Sequence, residues 1–190
     1  CAAVLIDAYR VLLVGGFDGD SSLNTTEIFD LSTLTFTPGP TMQSARYGCA
    51  AVALDARRIL VVGGFGGGSR LSSTAIPSLD PLAFAPGPAM ATSGSGCAAV
   101  ALDEHRIIVA GGESNTTEVL DVRTMSFAPG PSMGSERSHC AAVPVDAQHV
   151  LIIGGQGDEP PDTVWATTEL LDVATMEFAP GPTMQTARQG

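Results

Sequence analysis

The residues able to do chemistry in this chain fall into equivalent sets. Glu27, Glu118 and Glu169 each close a Thr-Thr-Glu run, and Arg46, Arg137 and Arg188 each lie four residues after a methionine. A carboxylate and a guanidinium can form a structural ion pair or an acid–base site. Cys1, Cys49, Cys97 and Cys140 each open a Cys-Ala-Ala-Val run. Their separation is far from that of compact zinc motifs, and one thiol per equivalent place predicts four small buried side chains rather than a metal centre. His105, His139 and His149 occupy two different repeat positions and form no cluster. No Gly-x-Ser-x-Gly elbow occurs, and Gly66-Gly67-Gly68-Ser69-Arg70 lacks the lysine and spacing of a phosphate loop. Asp18-Gly19-Asp20 lacks the remaining ligands of a calcium loop. The expectation is a chain with no catalytic residue, no metal and no cofactor.

The second repeat carries Ala75 and Gly94 where the others have Glu and Arg, and Ser78 where they have Asp30, Asp121 and Asp172. Removing one member of a buried pair is costly, whereas losing both can be close to neutral. Joint loss therefore predicts that each Glu pairs with the Arg of its own repeat: Glu27 with Arg46, Glu118 with Arg137, Glu169 with Arg188. General degeneration of the second repeat is the competing explanation.

The frame that holds these residues is legible from its arithmetic. Cys-Ala-Ala-Val starts at 1, 49, 97 and 140, Gly-Gly at 15, 63, 111 and 154, and Pro-Gly-Pro at 38, 86, 129 and 180. The repeats span 1–48, 49–96, 97–139 and 140–190, and one loop after Gly-Gly, of 8, 8, 3 and 11 residues, absorbs all the variation in length. Each repeat predicts four strands. A small-residue strand is followed by an Asp turn (Asp7, Asp55, Asp103, Asp146), and an apolar β-branched strand runs into Gly-Gly. After the variable loop come the Thr-Thr-Glu strand and a strand bearing Phe36, Phe84, Phe127 or Phe178, closed by a proline that cannot extend the ladder. Repeated four-strand units of this length suit propeller blades, with one buried Phe per outer strand.

The strand-two glycine pairs, the acidic-ended third strand, the fourth-strand aromatic and the Met-x-x-x-Arg connection resemble the Kelch-repeat β-propellers over essentially the whole chain. Phe36 stands where the family usually has Trp. The resemblance implies an all-β propeller of Kelch type, with four blades visible in a ring of about six. Arg188-Gln189-Gly190 matches Arg46-Tyr47-Gly48 before Cys49, so the expectation is a fragment of a larger ring. It further implies a protein-interaction scaffold that recruits substrates or adapts partners. An oxidase- or isomerase-type propeller enzyme and a purely structural repeat segment are the alternatives.

In a four-strand meander the variable loop and the connection to the next repeat emerge on one face, where variation can serve binding. The longest loop carries the sole Trp, Trp165, with Asp158, Glu159 and Asp162, and Tyr47, Arg70, Asp18 and Asp20 belong to the same face. Trp165 either anchors a partner or folds back over its own sheet. With nine basic and twenty acidic residues the formal charge is −11, which disfavours nucleic acid and favours a protein or peptide partner, a basic one being the more natural electrostatic match. The apolar runs are too short to span a membrane as helices, and thiols without partners lean towards an intracellular setting.

Overall fold

The computed structural model describes residues 1–79, 82–157 and 163–190. The described residues form strands, turns and loops, with no helix. The chain divides into two compact units, Cys1–Ser93 and Gly94–Gly190. Each holds two four-stranded antiparallel sheets.

In the first unit one sheet is a meander of Ala2–Leu5, Arg10–Val14, Thr26–Asp30 and Thr35–Pro38. The other contains Ala50–Ala53, Ile59–Val62, Thr74–Leu79 and Leu82–Pro86. In the second unit the sheets are Cys97–Ala101, Arg106–Gly111, Thr117–Asp121 and Ser126–Pro129, then Ala141–Pro144, His149–Ile153, Thr168–Asp172 and Glu177–Pro180. Within each unit the two Ala-rich first strands approach one another. Leu12, Val14, Met42 and Val61 centre the core of the first unit, and Ile108, Met133, Ile152 and Leu171 that of the second.

The glycine pairs are dictated by the backbone. Both members adopt positive φ in every repeat, from +55° at Gly15 to +123° at Gly16, a region L side chains rarely enter. The second glycine also abuts the repeat's cysteine: a Cβ on Gly64 would lie 3.1 Å from that of Cys49, and one on Gly155 would lie 3.0 Å from that of Cys140. Small thiol and bare glycine are therefore one packing solution. Cys49, Cys97 and Cys140 are buried, but Cys1 is exposed, so the expected four equivalent thiols are three. Burial pushes the Cys49 thiol up and takes that of Cys140 to about 11.

Pro-Gly-Pro has an equally direct cause. Thr26, Thr74, Thr117 and Thr168 on the third strands each donate from Oγ1 to the carbonyl of the second proline, at 2.7 Å in all four repeats. A Cβ on the intervening glycine would come within 2.4 Å of that hydroxyl at Gly39 and 2.2 Å at Gly87.

The second sheet departs from the others in its central pairing. Its second and third strands match only at Val61↔Ala75 and Val62↔Thr74, with an isolated bridge Arg58↔Ser78. The equivalent strands of the first sheet pair at five positions. Pro77 interrupts this central strand because it has no N–H for the ladder. On the fourth strands, Phe84 and Phe178 pack on their cores, but Phe36 is 56% exposed beside Phe29, which corrects the expectation of a buried Phe in every repeat.

Candidate functional site

The arginine of each connection joins two repeats. The Arg46 carbonyl accepts from Gly16 N–H in its own repeat, while its guanidinium reaches the next one, donating to Gly63 O at 2.8 Å, Ser73 O at 3.0 Å and Ser73 Oγ at 3.2 Å. Arg137 does the same. Its carbonyl accepts from Glu113 N–H, and its side chain donates to Gly154 O, Thr167 O and Thr167 Oγ1. Arg137 Nε then meets Glu169 Oε1 at 3.1 Å, both residues being buried. The N–H groups of Gly134 and Ser135 complete the cradle of that carboxylate.

The pairing is thus offset by one repeat, a correction to the expected pairs within repeats. Arg137 takes Glu169, not Glu118, and Arg46 faces Ala75 rather than Glu27, which is exposed. Arg188 is exposed and does not pair with Glu169. Glu118 is buried, and the same offset matches it with Gly94. Ala75 and Gly94 therefore fall opposite two different residues, Arg46 and Glu118, and a pair within one repeat does not link the two substitutions.

Nor do the third-strand aspartates belong to that polar set. Asp30, Asp121 and Asp172 each accept, through Oδ1, the backbone N–H groups two and three residues on, closing the turn to the fourth strand. In the second repeat, with Ser78 at this place, the ladder instead runs on to Leu79↔Leu82.

A clasp that sequence reading missed secures the opposite turns. Asp7, Asp55 and Asp103 accept from the backbone two and three residues on and bind Arg10, Arg58 and Arg106 Nε through Oδ2 at 2.7 Å. In the fourth repeat His149 Nδ1 lies 3.0 Å from Asp146. The Asp-x-x-Arg spacing was the available signal. The Tyr9 N–H and the Arg10 side chain hold the Asp7 carboxyl below its usual range. At Asp55 burial is the largest influence and pushes upward, but the N–H of Arg57 and the Arg58 guanidinium together outweigh it.

The loop face of the first unit brings several predicted residues together. Tyr47 and Phe65 exchange backbone hydrogen bonds of 3.0 and 2.8 Å, so the connection lies beside the variable loop. The Tyr47 ring stands 5.4 Å from Phe17 edge-on and 5.5 Å from Phe65, making an aromatic row. Phe17 is 55% exposed. Next to it, Asp18 Oδ1 accepts from Asp20 and Ser21 N–H, contacts that hold the Asp18 carboxyl below its usual range, and Asp20 is exposed. Arg70 pairs with Phe65 in the hairpin Phe65–Gly66/Ser69–Arg70. Phe17 and Phe65 were not singled out by sequence, although each directly follows a glycine pair.

In the second unit Trp165 is half-buried. Its indole N–H donates to Glu136 O at 3.0 Å, its backbone N–H donates to Gly155 O, and Arg137 Cζ lies 6.0 Å from the ring centroid. The indole therefore lies against the connection from the third repeat, beside Gly157 of its own loop. Asp158, Glu159 and Asp162 lie outside the described residues. Among the described residues no three His, Cys, Asp or Glu side chains are placed to hold a metal ion.

The architecture is a succession of four-stranded antiparallel sheets built on one repeat, tied by arginines that reach across repeats. Residues 1–43 match the family model of the Kelch motif. No curated protein matches it.

Proposed function

We propose that the sheets are propeller blades and that the chain is a protein-binding scaffold, with the loop face of the first unit as the docking surface for a basic peptide. Kelch repeats are in general protein-interaction modules, and the row Phe17–Tyr47–Phe65 carries the reading here. It presents aromatic surface on a backbone fixed by the Tyr47–Phe65 bridge, and aromatic anchors supply much of the energy of interfaces. Asp18 and Asp20 flank the row, and the net charge of −11 adds long-range attraction for a cationic partner over nucleic acid. On the second unit, the loop of the fourth repeat with Trp165, Asp158, Glu159 and Asp162 is a separate candidate for binding, proposed from its composition alone.

Binding of the intact chain to arrayed basic, neutral and acidic peptides tests this reading. Basic peptides should be retained and released by salt. Phe17→Ala and Asp20→Asn should each weaken retention about tenfold, corresponding to roughly 1.4 kcal/mol, with the melting temperature unchanged. Equal retention of acidic peptides, or variants that bind as the parent does, would overturn it.

A further inference from the structure

Arg46 and Arg137 each reach forward into the same place of the next repeat, and in the first repeat that place is open. Arg137 donates to Gly154 O at 2.7 Å, Thr167 O at 3.1 Å and Thr167 Oγ1 at 2.9 Å, and meets Glu169 Oε1 at 3.1 Å. The equivalents in the first repeat are Gly15, Thr25 and Glu27, which line one pocket of about 320 Å³ with Cys1, Leu13 and Phe17. Its backbone is already set as in the fourth: Gly15 N–H donates to Thr25 O at 3.1 Å, and Gly154 N–H to Thr167 O at 3.2 Å. What differs is the cover. Ile152, Gly154 and Glu169 are buried around Arg137, whereas Leu13 and Gly15 are half-buried and Glu27 is exposed. Among the described residues none pairs with the Glu27 carboxylate. The cleft that Arg137 lines in the fourth sheet is a different recess, because it borders Phe178, Ala179 and Pro180 and includes neither Ile152 nor Gly154.

We propose that this pocket is an arginine socket, in which the Glu27 carboxylate and the carbonyls of Gly15 and Thr25 bind the guanidinium of an arginine supplied by another polypeptide. The acceptor set selects the guest. A planar fork of N–H donors can satisfy two carbonyls, a hydroxyl and a carboxylate at once, as Arg137 does, whereas a lysine ammonium is a compact point charge. The bond to Glu27 is charge-assisted and so stronger than a neutral one. Phe17 belongs also to the aromatic row of the proposed docking surface, but the socket rests on its acceptors and not on that reading. The source is either Arg188 of a second copy or an arginine in a bound basic peptide. Arg188 is exposed, and its carbonyl accepts from Gly155 N–H as that of Arg46 does from Gly16 N–H, so its backbone is held as that of Arg46 is.

Arg188→Met in the full chain keeps a copy's own arginine out of the socket, and nitrogen-15-labelled backbone amides report on what enters it. N-acetyl-arginine amide should shift the amide resonances of Gly15, Gly16 and Glu27 saturably, with a Kd of roughly 1–100 mM. N-acetyl-lysine amide should bind about tenfold more weakly. Glu27→Gln should weaken the arginine response about tenfold, while Asp20→Asn, which bears on the aromatic docking surface alone, should leave it unchanged. Sedimentation velocity of the parent chain separates the sources. Self-association lost in both Arg188→Met and Glu27→Gln identifies a second copy, and a monomer that binds an arginine-containing peptide more tightly than the blocked amino acid identifies a peptide. No saturable shift with the blocked arginine, equal binding of the blocked lysine, or an arginine response undiminished by Glu27→Gln would overturn the proposal.

Discussion

Arg137 and Glu169, thirty-two residues apart, form a buried ion pair that ties the third repeat to the fourth. The pair is one part of a larger connection, because the same guanidinium also takes the carbonyls of Gly154 and Thr167. Arg137→Met should cost about 3–5 kcal/mol, since it leaves Glu169 buried without its cation. A double-mutant cycle by urea denaturation should give a coupling energy of about 1 kcal/mol or more for Arg137 with Glu169, and one near zero for Arg137 with Glu118. The opposite ranking would restore pairing within repeats.

Gly181 and Thr168 pose a sharper steric test. A Cβ on Gly181 would lie 2.3 Å from Thr168 Oγ1, a contact with no room for adjustment because that hydroxyl is already held by Pro182 O. Thr168→Ala alone should cost about 1 kcal/mol for the lost hydrogen bond. Gly181→Ala should cost more, and the double variant less than the sum, because the first change removes the atom the second collides with. Strict additivity in thermal or urea unfolding would show that the glycine is needed for another reason.

The same two residues show how far sequence reaches. Equal spacing of Thr, Pro-Gly-Pro and Met betrays a repeated sheet, because any motif fixed by local geometry must recur in step with it. Partner choice across repeats leaves no such trace: an arginine in register with every Glu is equidistant, in sequence logic, from the Glu of its own repeat and that of the next. Only the path of the chain decides, and it sends the Arg137 carbonyl back to Glu113 N–H and its side chain forward to Glu169. Phe17 and Phe65 were hidden for a different reason. Their neighbours in the aromatic row come from a connection and a loop of two repeats, and no periodicity links them.

The Asp turns predict acid sensitivity. Asp7, Asp55, Asp103 and Asp146 are all stronger acids in the folded chain than the ordinary value of 3.8. A carboxyl with a depressed folded pKa stabilises the fold above its unfolded pKa, and that contribution disappears as pH falls through the folded value. Urea midpoints should therefore be level near about pH 6 and drop below about pH 4. Asp103→Asn keeps an oxygen acceptor for the His105 and Arg106 N–H groups but loses the charge opposite Arg106. It should be less stable than the parent at about pH 6 and equal to it near about pH 2. A constant difference across that range would remove the charge from the explanation.

Thiol chemistry separates Cys1 from its three counterparts. Cys49, Cys97 and Cys140 are buried against the glycine pairs, and the Cys140 thiol is pushed to about 11. Relative to its ordinary value of 9.0, that leaves roughly 100-fold less thiolate at neutral pH, before any steric protection is counted. With a colorimetric disulfide reagent at about pH 8, the folded chain should show one fast thiol, absent in Cys1→Ser, and three that react only on unfolding. Because the slow phase then reports opening of the sheets, Gly155→Ala, whose Cβ would crowd Cys140 at a φ of +89°, should accelerate it. A slow phase unchanged by that substitution would mean that Cys140 is reached by a route other than loss of the glycine–cysteine contact.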